Sequence, residues 1–280
     1  MNTRAMYWSV RRELWENRSI YIAPLAVAVV MVFGFFIAAI AALSGNAVKH
    51  HLQPDKLAQP FNFVAVLMMA TTFIVAIFYC LDALYGERRD RSSLFWKSMP
   101  VSDVTTVLSK ASIPLVVLPL ITFVLTIVAQ LVMLLLGSAV ALIKGQSAAA
   151  LWTTLPWFQM SGMLLYHLLS VHSLYYAPIF GWLLLVSAWA KRAPILWAVL
   201  PLFAIGIVEK IAFNTSYLGA VLASRISGGA RDEGMQSGVL MLGHFNLGEF
   251  LSSPGLWIGL ALTAAFLAGA VRLRRDRGPI

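Results

Sequence analysis

The sequence contains few charged residues. Only 12% of its 280 residues are Asp, Glu, Lys or Arg, whereas 60% are hydrophobic. A soluble domain of ordinary composition carries about 25% charged residues. This shortage argues against an ordinary soluble domain and favours a chain that spans a membrane.

Several arrangements that catalysis or metal binding would require are also missing. The single cysteine, Cys80, lies in an apolar run, so we expect a small buried side chain and no internal disulfide. His167 and His172 stand five residues apart, about 140° around a helix, and cannot share a metal ion. No Gly-x-x-x-x-Gly-Lys-Ser/Thr motif occurs, so the loop that binds ATP phosphates in P-loop enzymes is absent. We predict no catalytic residue, metal or cofactor in this chain.

The sequence consists mainly of long apolar runs. A helix rises about 1.5 Å per residue, so about 20 apolar residues cross a hydrocarbon core of about 30 Å. Residues 145–190 contain no Asp, Glu, Lys or Arg, and we prefer one crossing there, preceded by an interfacial segment, to two. The sequence therefore predicts an all-α, polytopic membrane protein with a single transmembrane domain and six crossings, at residues 20–43, 57–84, 111–137, 172–190, 193–213 and 250–271.

The basic residues predict the orientation. Residues 1–19 have the pattern of an amphipathic interfacial helix, with Trp8, Val10 and Leu14 against lipid and arginines near phosphate. With six crossings, fifteen of the 21 Lys and Arg residues fall on the side that holds both termini. The positive-inside rule places that side in the cytosol. We attribute the net charge of +9 to basic residues that contact anionic lipid headgroups and set the topology, and we expect no binding of nucleic acid.

Residues 85–110 form the densest block of charge between two apolar runs. Ser102 is predicted to cap the following helix, with Asp103 in its first turn and Lys110 at the membrane boundary. The apolar triplet Leu94-Phe95-Trp96 stands among charged residues. Two interpretations are open at this point. The segment is either an ordinary cytosolic loop with a positive face, or a docking element with a desolvated aromatic anchor and a polar rim.

A family resemblance favours docking. Two stretches and one lysine carry the resemblance: Glu87-Arg88-Arg89-Asp90-Arg91, Leu94-Phe95-Trp96-Lys97-Ser98-Met99-Pro100-Val101-Ser102, and then Lys110. Together they resemble the cytosolic signature of permeases in the type-2 family of ATP-binding-cassette (ABC) exporters. The six-crossing layout with both termini inside is similar to theirs. A weaker likeness covers Glu209-Lys210-Ile211-Ala212-Phe213.

The resemblance implies a transmembrane permease subunit that couples ATP hydrolysis to substrate efflux and is not itself an enzyme. A cytosolic ABC ATPase subunit would hold ATP and magnesium, and a second permease copy or a paralogue would complete a dimer in the bacterial cytoplasmic (inner) membrane. Residues 85–110 would be the cytosolic coupling segment, with Glu87 and Arg88 as hinge residues, Arg91 to Pro100 as the coupling element, and Phe95 and Trp96 as anchors. The N-terminal helix would rest against the ATPase, and residues 214–249 would form an outer re-entrant or cap segment.

Glu209 and Lys210 leave two interpretations open. The pair either lines the exit path or forms a re-entrant turn, or it is an interfacial anchor in which Lys210 reaches towards the headgroups. Two rival functions also remain. A stand-alone secondary transporter or membrane assembly factor would work without an ATPase, and a membrane-embedded enzyme would turn over substrate alone.

Overall fold

The computed structural model of the protein describes residues 3–43, 54–90, 102–226 and 247–276. Within these ranges the chain is almost entirely helical and contains no strand, which confirms the predicted all-α class. The helices are α1 (Thr3–Glu16), α2 (Ser19–Leu43), α3 (Pro54–Ala83), α4 (Tyr85–Arg89), α5 (Asp103–Ser112), α6 (Leu118–Ile143), α7 (Ala148–Thr154), α8 (Trp157–His167), α9 (Ala177–Trp189), α10 (Pro194–Phe213), α11 (Tyr217–Ile226), α12 (Leu247–Ser252) and α13 (Pro254–Asp276). Two π-helical turns, Ile113–Val117 and Leu168–Tyr175, join α5 to α6 and extend α8.

The described part of the chain contains several helices long enough to cross a membrane. Five helical stretches there are long and apolar enough to cross a bilayer: Ser19–Leu43, Leu57–Arg89, Asp103–Ile143, Pro194–Phe213 and Pro254–Asp276. The stretches Trp157–Tyr175 and Ala177–Trp189 meet at a bend of 47° and make a sixth if they are counted as one broken span. By length and composition such stretches indicate a membrane protein, and a helix is suited to a bilayer because it satisfies its own backbone polar groups.

Some bounds differ from those expected. The third span, predicted at 111–137, belongs to a helical stretch that runs from Asp103 to Ile143. The fourth, predicted at 172–190, belongs to a helical segment that begins at Trp157 and bends beside Tyr176. Within 214–249, the described residues form α11 and the start of α12.

Proline explains two of the irregularities. Pro114 lies in the first π-helical turn, where the amide of Leu118 bonds the carbonyl of Ile113 five residues back. Pro178 lacks an N–H group just after the bend, and the amides of Ile179 and Phe180 both bond the carbonyl of Tyr176. In a regular helix the Ile179 amide would reach Tyr175 instead.

The apolar core lies between the helices. α9 packs along α13, and α2 packs along α3 and α6. Phe180, Ile113 and Cys80 are buried in one core cluster, which confirms the predicted burial of the cysteine, and Met68 and Met133 are buried in another. The outer faces are apolar too: in α10 only Ala198 is buried. Exposed apolar faces on helices of this length are what lipid tails solvate.

One end of the bundle collects the ends of several helices. The Ser187 hydroxyl, near the end of α9, accepts the amides of Leu84 and Tyr85 at 3.1 Å and 2.9 Å, and it donates to the carbonyl of Leu81 at 2.8 Å. α1 packs on α5 and the end of α13 also packs on α5. We call this the basic end, formed by α1, α4, the start of α5 and the ends of α9 and α13.

Candidate functional site

Charged side chains from four helices meet inside the basic end. Glu13 on α1 bonds Lys110 at the start of the third span, and α4 continues from α3 after a one-residue interruption at Leu84. The Ser102 hydroxyl accepts the amide of Thr105 at 3.2 Å, which confirms the predicted cap and places Asp103 in the first turn of α5. The ion cluster, as we call it, consists of Arg12, Glu13, Glu87, Asp103, Lys110 and Arg274.

Glu87 is the centre of the ion cluster. Its Oε1 atom lies 3.2 Å from Lys110 Nζ and 3.2 Å from Arg12 Nη2. Its Oε2 atom accepts a hydrogen bond from Arg274 Nη1. Arg274 Nε also lies 3.1 Å from Asp103 Oδ1. One carboxylate on α4 therefore joins the first helix, the third span and the last span.

A second carboxylate is buried beside it. Glu13 Oε1 lies 2.8 Å from Lys110 Nζ, and the Tyr79 hydroxyl donates to Glu13 Oε2 at 2.8 Å. Glu13 and Lys110 are each only 2% exposed, and Glu87 is 7% exposed. Burial at this level is costly for a charge unless it is paired and hydrogen-bonded.

The charges of the six residues in the ion cluster are opposed in equal number. Three cations, Arg12, Lys110 and Arg274, face three carboxylates, Glu13, Glu87 and Asp103. Removing one partner of a buried pair costs about 3–5 kcal/mol, because the other charge is left without compensation. The ion cluster therefore holds its four helices in one arrangement.

Arg12 extends the ion cluster to the surface. Its Nε atom lies 2.8 Å from Oε1 of Glu16, one helical turn away. Partial burial works against the charged form of Arg12, but the hydrogen bond and charge of Glu16, together with Glu13 and Glu87, raise the pKa of its guanidinium. The Arg12 guanidinium therefore stays charged at neutral pH.

Arg88 attaches the same short helix to α9. Its Nη1 atom donates to the carbonyls of Ala188 at 2.7 Å and Ala190 at 3.2 Å. Arg88 is 8% exposed. Glu87 and Arg88, predicted as hinge residues, are thus both buried and both bonded to membrane-spanning helices. The other coupling residues predicted from the sequence, Arg91, Phe95, Trp96 and Pro100, lie outside the described residues.

The opposite end of the bundle carries Glu209 and Lys210, in the last turn of α10. The Glu209 carboxylate accepts the amides of Leu218, at 3.0 Å, and Tyr217, and the Thr215 hydroxyl at 3.0 Å. It thereby satisfies amides in the first turn of α11, as an N-terminal capping side chain does. The Lys210 side chain is exposed. Glu209 fixes the turn between α10 and α11.

Arg225 holds the other end of α11. Its guanidinium donates to the carbonyl of Tyr175, at 3.1 Å, and to that of Gly255, and it lies 4.4 Å from the centre of the Tyr175 ring. A Cβ atom on Gly259 would come within 2.7 Å of the guanidinium, so glycine leaves the space that Arg225 occupies. The Tyr175 carbonyl is available because the Ile179 amide bonds Tyr176 instead.

Four of these residues were not predicted from the sequence as site residues. Arg12 was expected only near lipid phosphate, Glu13 and Arg274 were not singled out, and Arg225 was counted only as one basic residue among many. One signal for Glu13 was present: it is a carboxylate on the same face of α1 as the apolar residues Val10 and Leu14, which pack on the protein. A carboxylate on a buried face requires a buried cation.

Comparison with known proteins adds no family to this geometry. No protein-family model matches the chain, and no curated protein matches it. The interpretation of the site therefore depends on the contacts of its own residues.

Proposed function

We propose that the chain is the transmembrane permease subunit of an ABC exporter, and that a separate cytosolic ATPase subunit drives it. In this proposal the bent pair of helices counts as one crossing, which gives six, and α1 lies at the membrane surface as an amphipathic helix. Both termini face the cytosol across the cytoplasmic (inner) membrane of a bacterium. A second copy or a paralogue completes a dimer, and ATP and magnesium bind to the ATPase.

One observation carries the proposal. The ion cluster ties both ends of the segment 85–110 to other parts of the bundle: Glu87 at its start, and Asp103 and Lys110 at its end. Arg274 joins Glu87 to the last span, and Glu13 joins Lys110 to the first helix. A force applied to the residues between these ends would reach three helices through bonds that are buried and strong.

The placement of charge supports the orientation. The ion cluster, the link Lys191-Arg192 and the arginines at the end of α13 (Arg272, Arg274 and Arg275) belong to the end of the bundle that holds the N-terminal helix. Lys and Arg accumulate on the cytosolic side of membrane proteins. An ATPase supplied with cytosolic ATP must dock on that side, where the described residues of the segment 85–110, at its two ends, also lie.

The mechanism follows from the connections. ATP binding would draw two ATPase subunits together and move the two coupling segments. Because Glu87 and Arg88 bond α4 to α9, α13 and the third span, these helices would tilt together rather than one by one. Tilting would alternate access to a path between the two protomers, as rigid-body motion of packed helices does in other switches.

The test is copurification followed by an activity measurement. The full chain is purified in mild detergent with the ABC ATPase encoded beside it and reconstituted into liposomes. Phe95→Asp and Trp96→Asp should each lower permease-dependent ATP hydrolysis at least about tenfold, as loss of a buried aromatic anchor does. The control, Lys144→Asp, changes an exposed polar residue in the turn after α6, outside the segment, and should leave the rate unchanged.

Three outcomes would contradict the proposal. Unchanged ATP hydrolysis in both segment variants would remove the coupling assignment. Transport that persists without any ATPase would favour a stand-alone secondary transporter. Turnover of a substrate by the purified chain alone would favour an enzyme.

A further inference from the structure

Helix α1 has two faces with different partners. The inner face, which includes Val10, Glu13 and Leu14, packs on the protein: Val10 and Leu14 contact the apolar core and Glu13 bonds Lys110. This differs from the expectation that Val10 and Leu14 contact lipid. The outer face carries a row of exposed residues spaced alternately by four and three positions, Arg4, Trp8, Arg11 and Trp15, and exposed Arg18 in the turn after the helix continues the row. We call this row the Arg–Trp stripe.

The Arg–Trp stripe alternates cations with indole rings along one side of the helix. Spacings of three and four residues place side chains one above the other on a helix face. The Arg11 guanidinium lies 5.1 Å from the centre of the Trp8 ring and 5.4 Å from that of Trp15. Trp8 is 59% exposed and Trp15 is 71% exposed. Large aromatic side chains this open on a helix packed against the protein mark an interaction surface.

The position of α1 indicates the depth of that surface. α1 ends at Glu16 and α2 begins at Ser19, and the amide of Ile20 bonds the carbonyl of Asn17. Ile20, at the start of the first span, is fully buried. The Arg–Trp stripe therefore ends where the first apolar span begins. At that depth indole rings are enriched in membrane proteins and basic side chains meet phosphate groups.

We propose that the Arg–Trp stripe binds the headgroups of anionic phospholipids. Its charge is of one sign: the stripe contains arginines and no carboxylate, and the nearby Glu16 pairs with Arg12 beside it. Guanidinium groups bind phosphate through paired hydrogen bonds, and the indole rings occupy the boundary between headgroups and acyl chains. A negative lipid surface attracts such a row, whereas a zwitterionic surface offers it no net negative charge.

The binding has a structural consequence. The inner face of α1 holds Glu13 against Lys110 in the ion cluster, so a lipid that fixes the outer face also keeps the inner face docked. Anionic lipid thus stabilises the arrangement of the basic end. This inference requires only that the chain lies in a membrane and is independent of any ATPase.

The experiment uses fluorescence quenching of the full chain in lipid nanodiscs. About one lipid in five of a phosphatidylcholine bilayer is replaced by brominated phosphatidylglycerol or by brominated phosphatidylcholine. The chain has nine tryptophans, so a Trp8→Phe/Trp15→Phe variant gives the background, and the difference reports the two stripe residues. Brominated phosphatidylglycerol should quench that difference about twofold more than brominated phosphatidylcholine.

Matched variants identify the cause of the excess quenching. Arg11→Gln/Arg18→Gln should abolish the phosphatidylglycerol excess, whereas Lys191→Gln/Arg192→Gln, which removes two exposed charges elsewhere at the basic end, should retain it. Equal quenching by brominated phosphatidylglycerol and brominated phosphatidylcholine would overturn the proposal. So would an equal loss of the phosphatidylglycerol excess in the Arg11/Arg18 and Lys191/Arg192 variants. A third outcome would also overturn the proposal, in favour of a protein partner. In that outcome neither lipid quenches Trp8 and Trp15, and only an added ATPase subunit changes their exposure.

Discussion

Lys110 Nζ lies 2.8 Å from Glu13 Oε1, although 97 residues separate the two in the sequence. The bond is buried at both ends and crosses from the first helix to the start of the third span. Because Lys110 also bonds Glu87, the N-terminal helix and the short helix α4 share one cation. The position of α1 is therefore linked to that of the charged segment after α3.

The Glu13–Lys110 pair gives the first prediction. Glu13→Gln should destabilise the folded protein by about 3–5 kcal/mol, because it removes one charge of a buried pair. Glu16→Gln is the control: it changes a half-exposed carboxylate on the same helix and should cost about 1 kcal/mol or less. Denaturant titration of the detergent-solubilised protein measures both values. Equal losses of unfolding free energy in Glu13→Gln and Glu16→Gln would show that the Glu13–Lys110 pair does not stabilise the fold more than a surface pair does.

Arg88 and Arg89 are adjacent but differ in their surroundings. Arg88 bonds two carbonyls at the end of α9, whereas Arg89 is exposed and pairs with its neighbour Asp90. Arg88→Leu should destabilise the protein by about 2–3 kcal/mol, since hydrogen bonds to charged groups are lost in a buried place. Arg89→Leu should change the same denaturant midpoint little. A larger effect of Arg89→Leu would contradict the assigned contacts.

Gly259 gives a prediction for the opposite end. Gly259→Ala places a methyl group within 2.7 Å of the Arg225 guanidinium and should displace it from the carbonyls of Tyr175 and Gly255. Hydrogen exchange of the amides in α11 should then accelerate about tenfold, as the loss of a hydrogen-bonded support worth about 1.4 kcal/mol requires. Gly255→Ala adds its methyl group to open space and should leave exchange unchanged. Identical exchange in both variants would count against the Arg225 contact.

The other end of α11 responds to a different change. Glu209→Ala removes the acceptor for the amides of Tyr217 and Leu218, so these amides should exchange faster by several-fold, as for loss of a helix cap worth about 1 kcal/mol. Lys210→Ala changes an exposed neighbour and serves as the control. Protection of both amides in Glu209→Ala would mean that other groups satisfy them.

The sequence predicted those features that depend on local pattern. Runs of apolar residues gave the helical class and most of the spans, and Ser102 was predicted as a cap because it precedes an acidic first turn. The ion cluster could not be predicted in the same way. Which side of α1 meets Lys110 depends on how helices far apart in the sequence rotate against one another, and side-chain packing decides that rotation.

Arg225 was unpredictable for another reason. Its partners are backbone carbonyls, which every residue has, and the carbonyl of Tyr175 is available only because the chain bends before Pro178. The proline was visible in the sequence, but the position of Arg225 beside the bend depends on the tertiary fold. Glu209 was singled out from the sequence as a charged residue near the end of an apolar run, while its role in capping α11 required the structure.

The most direct test of the central claim is the rate of ATP hydrolysis by the partner ATPase, measured alone, with the wild-type chain and with Glu87→Gln. The account predicts that the wild-type chain changes the rate, and that Glu87→Gln still binds the ATPase but loses that change, because its segment no longer moves the spans as one unit. Asp90→Asn, an exposed carboxylate three positions away, should behave as wild type. No binding of an ATPase, or a Glu87→Gln chain that behaves as wild type, would contradict the account.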